Sequence, residues 1–322
     1  MKKYLTLFLI ALAIFGRPTP SGAEGFFAPT ASIKGLRGTY EKAKQNGPRL
    51  RILIVPGHDK DYWGTEYKGV KEADINYAMA KEISSILSTQ KELEIIIARD
   101  AANYHPEIAS YFENNKEGIQ KFRDSHKAVM SILNYAGAIE NREKVYHNSV
   151  NEEMSVRLYG MNKWANENNI DFVLHIHFND TPERRWLSVG PYNGFSVYVP
   201  DSQFSNAEPS IELGKKIFDR VVNYFAVSNM VNESMGVVED QKLIALGAMN
   251  TLNPAAVLIE YGYIYEPQIM KPSVRSLYFK EMATQTALGI NNFLNNSSEA
   301  DIATFPYRWQ KNIKKGDKGS AD

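Results

Sequence analysis

A chain of 322 residues with 43% hydrophobic content can bury the core of one large domain or two small ones. Lys plus Arg equals Asp plus Glu at 37 each, a balance that gives no electrostatic reason to expect nucleic acid or an anionic membrane surface as partner. Cysteine is absent, which excludes disulfides, thiolate metal sites and cysteine nucleophiles; any metal must be held by histidine and carboxylate.

The first element in chain order concerns targeting. Lys2 and Lys3 precede an apolar run from Tyr4 to Phe15 that only Thr6 interrupts. Gly16, Arg17 and Pro18 end it, and Ser21-Gly22-Ala23 offers the small-x-small pattern of a cleavage site. Residues 1–23 therefore read as a secretory signal peptide, the run being shorter than the roughly 20 residues a spanning helix needs. The expectation is an exported protein, periplasmic or secreted, without stable membrane insertion.

Residues 24–48 show no periodicity and read as a linker or N-terminal arm. Arg51 to Pro56 is a short apolar strand, and Ala73 to Leu87 places Ile75, Met79, Ile83, Ile86 and Leu87 at helical spacing. Leu93 to Ala98 is a second buried strand. Residues from about 105 to 150 are polar with helical patterning, a helical insertion in a domain running over 49–297. Val156 to Asn168 reads as helix, Asp171 to Phe178 and Phe195 to Val199 as strands, and Ile211 to Phe225 as helix. Ala256 to Tyr261 is a buried strand and Tyr278 to Leu294 a closing helix. Residues 298–322 read as a disordered tail. Continuously apolar strands alternating with helices predict an α/β fold, a three-layer sandwich with a mostly parallel sheet covered on both faces.

Four polar residues stand where an apolar strand ends or a helix begins. His58 follows RILIVPG, Glu72 precedes the helix at Ala73, His177 lies near the end of DFVLHIHF, and Glu260 interrupts AVLIEYG. Open α/β sheets form their sites outside the carboxyl ends of strands, so these four can converge on one crevice. Two histidines and a carboxylate make a catalytic zinc set, with a further glutamate available as general base. Singly, each has a plainer explanation: a turn histidine, a glutamate complementing a helix dipole, a pair of core histidines with His175. Glu260 is the strongest, since a carboxylate in so apolar a run is costly unless paired or metal-bound.

With the blocks IVPGH (Ile54 to His58), GVKEADIN (Gly69 to Asn76), DFVLHIHFN (Asp171 to Asn179) and PAAVLIEYGYI (Pro254 to Ile264), the chain resembles the zinc-dependent N-acetylmuramoyl-L-alanine amidases of the amidase-3 type. The resemblance spans roughly residues 50 to 295. It implies a phosphorylase/hydrolase-like fold, Zn2+ held by His58, Glu72 and His177, and Glu260 as the catalytic group. It also implies peptidoglycan as substrate, cut at the amide between N-acetylmuramic acid and L-alanine. Asp59 and Lys60 stand where the family usually has glycine, and His175 where it usually has serine; the segment between Glu72 and His177 is longer than the family needs. Alternate strand residues share a face, so His175 is expected to point the way His177 does, as a residue supporting the ligands or as core. Asn179 is expected beside the ligands or the substrate. The same four residues would serve a zinc peptidase cutting stem peptides, and a non-catalytic wall-binding protein could keep the fold. A protein activator is left open.

Overall fold

The computed structural model describes residues 31–142, 145, 150–181, 184–185 and 187–297. The expected signal peptide and tail lie outside the described residues. The elements in order are α1 (Ile33–Lys44), β1 (Leu50–Pro56), the short pair β2 (Glu66–Tyr67) and β3 (Val70–Lys71), α2 (Glu72–Leu87), β4 (Leu93–Ile97), α3 (Pro106–Asn114), α4 (Lys116–Tyr135) and α5 (Glu152–Glu167). They continue through β5 (Phe172–Asn179), β6 (Ser196–Pro200), α6 (Ala207–Val221), β7 (Val237–Asp240), two 3-10 turns at Ile244–Leu246 and Ala248–Asn250, β8 (Ala255–Tyr263), α7 (Pro267–Met270) and α8 (Pro272–Leu294).

Six strands form one sheet in the order β4-β1-β5-β8-β6-β7. The pairs β1–β4, β1–β5, β5–β8 and β6–β7 are parallel, and only β6–β8 is antiparallel. The expectation of a mostly parallel sheet with helices on both faces is therefore met. Strand alternation divides the core. Phe172, Leu174 and Ile176 of β5 pack with α1, α2, α6 and α8 on one face. Val173 packs with Met161 and Trp164 of α5 and with Ile108 of α3 on the other. Burying both faces explains why the central strands read as unbroken apolar runs.

Two readings differ from the structure. The segment without periodicity holds α1, whose Leu36, Tyr40 and Ala43 are buried; Ser32 caps it by accepting from the Gly35 N–H. Its apolar stripe is three residues among lysines, too sparse to register as a pattern. The strand β7 escaped notice because VVED is only four residues long at the sheet edge. Between β4 and α5 the chain forms α3 and α4. Ile119 and Phe122 of α4 pack on Tyr159 of α5, so this segment sits as a layer on the α5 face.

Candidate metal centre and active site

The chain passes from β1 to β4 on one side and later returns to β5 on the other. The crevice between the carboxyl ends of β1 and β5 is thus a topological switch point, where open α/β sheets bind ligands. His58 lies two residues past the end of β1, and His177 is the sixth residue of β5. Glu72 opens α2, with its carboxylate over the positive end of the helix. The loop before α2 satisfies the first helical donors: the Glu72 N–H donates to the Thr65 carbonyl at 2.9 Å and the Ala73 N–H to that of Trp63 at 3.0 Å.

His58, Glu72 and His177 offer ligand atoms that all lie within 4.8 Å of one another. Glu72 Oε2 is 3.1 Å from His58 Nε2, and Glu72 Oε1 is 3.0 Å from His177 Nδ1. Metal bonds of about 2.0–2.2 Å in tetrahedral array separate their ligand atoms by roughly 3.3–3.5 Å, so this spacing suits zinc with little movement. The surrounding backbone is shaped for it. A Cβ on Gly57 would lie 2.2 Å from the His177 ring, and one on Gly64 would lie 2.3 Å from Glu72 Oε2. Gly64 also has φ +74°, a conformation that favours glycine. The donor set fits a zinc ion.

Electrostatics agrees with a charge-dense centre. Burial alone would raise the Glu72 carboxyl pKa, yet the two histidines hold it well below the usual range. Burial depresses His58, but the Glu72 carboxylate outweighs it and raises the net value. For His177 burial prevails over Glu72, and its pKa falls. The Phe178 and Thr65 N–H groups donate to the Glu72 carboxylate at 3.3 and 3.1 Å.

Glu260 lies beside His177, its direct partner in the β5–β8 register. Its Oε2 is buried and has no hydrogen-bond partner among the described residues. Burial, then the Glu72 and Glu233 carboxylates, push its pKa well above the ordinary value. A carboxyl of raised proton affinity beside a metal set is suited to carry a proton in both directions.

His175 and Asn179 take roles the sequence left undecided. The His175 ring is 1% exposed and bonds the Ala245 carbonyl, and its Nε2 has no partner among the described residues. Burial first, and then His177, lower its pKa to about 3, so it stays a neutral part of the core. Asn179 donates to Glu233 at 2.8 Å while its Oδ1 accepts from the Asp180 N–H.

Two further groups were missed. Arg99 is 3% exposed, and among the described residues its guanidinium donates to main-chain carbonyls alone. Its Nε reaches Pro56 O at 3.1 Å and His58 O at 2.5 Å, and its Nη2 reaches Gly57 O at 2.8 Å and Ala73 O at 3.0 Å. It thereby ties the His58 turn to the first turn of α2. Its position straight after an apolar strand was the available signal. Glu233 is 1% exposed and accepts from Asn179, Tyr198, Ser228 and Tyr263. It stands in a polar loop with nothing nearby in sequence to mark it.

A doubly wound sheet whose carboxyl edge gathers two imidazoles and a carboxylate, with another carboxyl alongside, defines the class of α/β hydrolases with a candidate metal centre. The chain belongs to the Amidase_3 family, N-acetylmuramoyl-L-alanine amidase, whose model matches residues 52–292. The fold is similar to that of the CwlD amidase from Clostridioides difficile, solved in complex with the GerS lipoprotein. That match has 18% identity and a TM-score of 0.51, and covers 77% of this chain and 100% of the other. It is also similar to the N-acetylmuramyl-L-alanine amidase Ami1 from Mycobacterium smegmatis, at 14% identity and TM-score 0.50, covering 78% of this chain and 99% of the other. At those identities the likeness concerns the fold. Among curated proteins none matches.

Proposed function

We propose that the protein is an exported, zinc-dependent amidase that hydrolyses the bond between N-acetylmuramic acid and L-alanine in peptidoglycan. The observation that carries the reading is the meeting of His58, Glu72 and His177 within 4.8 Å, in a chain of the amidase family. These three would hold the zinc, which supplies a Lewis acid that activates water and polarises the amide carbonyl. Glu260 accepts the proton of the attacking water and passes it to the departing alanine nitrogen. Its unpartnered Oε2 is free for that exchange, and burial keeps competing water away. Arg99 and the Glu72 hydrogen bonds fix the ligands before substrate arrives. Export rests on Lys2, Lys3, the Tyr4 to Phe15 run and Ser21-Gly22-Ala23. Among the described residues no helix is long and apolar enough to cross a membrane.

The test is mass analysis of products from purified sacculi, with and without a chelator, alongside metal content. The amidase releases glycan with its lactyl groups intact and whole peptides starting at L-alanine. Purified protein carries one zinc per chain, and His177→Ala loses it. Products cut within the peptide would favour the peptidase reading. Absence of any product from folded, zinc-loaded protein would favour a wall-binding one.

A further inference from the structure

A cavity of about 690 Å³ opens beside the metal set. None of His58, Glu72, His177 or Glu260 lines it; its wall begins one residue past His58, at Asp59. It runs over the 100–104 loop to the facing sides of α3, α4 and α5, and so exists because of the insertion.

The inner wall is built of mutually paired groups. Asp59 is 4% exposed and accepts from the Tyr62 N–H at 2.9 Å, from Tyr104 Oη at 2.9 Å and from Arg157 of α5. Arg157 also pairs with Glu153 and lies against the Tyr62 and Tyr104 rings. The outer wall is different. Lys60, Glu113, Lys116 and Gln120 line the cavity, yet among the described residues they enter no ion pair or side-chain hydrogen bond. The cavity thus presents uncommitted groups of both signs over an aromatic and aliphatic base that includes Phe112 and Val156.

We propose that this cavity is a subsite for the stem peptide of the substrate, with Lys60 and Lys116 receiving its carboxylates and Glu113 its amine. The inference rests on the amidase reading. Peptidoglycan offers two chemistries on either side of the scissile amide: a glycan of mostly neutral sugars, and a peptide with free carboxylates and the amine of a diamino acid. Only the peptide matches a mixed-charge wall. An extended peptide covers about 3.3–3.6 Å per residue, so residues beyond the alanine reach a cavity whose edge adjoins a metal ligand. The volume lies within the roughly 300–1,000 Å³ usual for small-ligand clefts.

The experiment measures two quantities on zinc-loaded protein: binding of a free stem tetrapeptide, and the KM for a muropeptide bearing it. Lys116→Glu weakens tetrapeptide binding and raises that KM by about fivefold, as loss and reversal of an exposed charge contact allow. Cleavage of muramoyl-L-alanine, which has nothing to place in the cavity, changes by less than about twofold on the same scale. Lys60→Glu acts in the same direction, and Lys116→Gln shows a smaller effect. Wild-type tetrapeptide binding in the Lys60→Glu/Lys116→Glu double variant overturns the subsite, as does an equal KM change on muramoyl-L-alanine. If tetrapeptide binds in a Lys116-dependent way but no substrate is cut, the subsite stands and the amidase reading fails. Cleavage without Lys116 dependence has the reverse meaning.

Discussion

Arg99→Met is the most informative change to the scaffold of the metal centre. Methionine keeps an unbranched chain of similar reach but removes every donor. Gly57 O retains the Asn76 side-chain amide at 2.9 Å, whereas His58 O is left without its 2.5 Å bond. An orphaned buried carbonyl costs about 1–3 kcal/mol. His58 also sits at φ +61°, a left-handed conformation that costs a non-glycine residue on the order of 1–3 kcal/mol and persists only while its surroundings impose it. Without the clamp the turn relaxes and the imidazole leaves its place opposite Glu72. The lost bond therefore costs at most about 3 kcal/mol, part of it returned as the turn relaxes, and the Tm falls by no more than roughly 12 °C in a domain of this size. Zinc affinity falls about tenfold to a hundredfold, the usual consequence of loosening what orients a ligand. Arg99→Lys recovers little, because a single ammonium cannot span carbonyls from the His58 turn and α2 together. Chelator competition gives the affinity and circular dichroism the Tm. An Arg99→Met protein that stays folded and binds zinc within about twofold of wild type would refute the clamp.

Three other outcomes follow from the site and core. Glu260→Gln keeps zinc and fold but loses about a hundredfold or more in turnover, because an amide cannot take the water proton; single-turnover assays on a soluble muropeptide check this. Gly57→Ala abolishes zinc binding, since the new Cβ would lie 2.2 Å from the His177 ring; metal analysis of the folded variant decides it. His126 of α4 is 7% exposed, and burial first, then Lys163, opposed by the Met249 carbonyl, bring its pKa to about 4. The unfolded chain, titrating near 6.5, binds the proton first, so stability is full above that value and declines as pH falls toward 4. Urea unfolding should lose about 2 kcal/mol from this group between pH 7 and pH 5, a loss absent in His126→Phe.

Much of this was readable in the sequence because the central strands are buried on both faces. Three polar residues in or just past apolar runs stand out against such a background: His58, His177 and Glu260. Glu72 was readable only with its flanking block, since a first-turn glutamate is commonplace on exposed helices. Arg99 carried no signal beyond its place straight after an apolar strand, and Glu233 carried none, because their partners are main-chain carbonyls, hydroxyls and an amide drawn mostly from distant segments. No local pattern encodes such contacts. The direction of His175 followed from strand alternation, but its bond to Ala245 depends on a 3-10 turn placed by tertiary packing. The helix α1 was hidden because three buried side chains hold it against the sheet and little in its own pattern does.

The ligands of the proposed metal set come from two sides of the β1–β5 pairing. His58 and Glu72 belong to the first part of the chain, while His177 arrives only when β5 docks against β1, after the whole insertion has been threaded past. Such a centre has high contact order and closes late in folding. A metal that recognises three donors gains little from the first two, so it binds the finished structure and adds its binding free energy to that state alone. Activity is then coupled to completion of folding. A chain halted before β5 pairs would hold two of the three clustered residues and no complete centre.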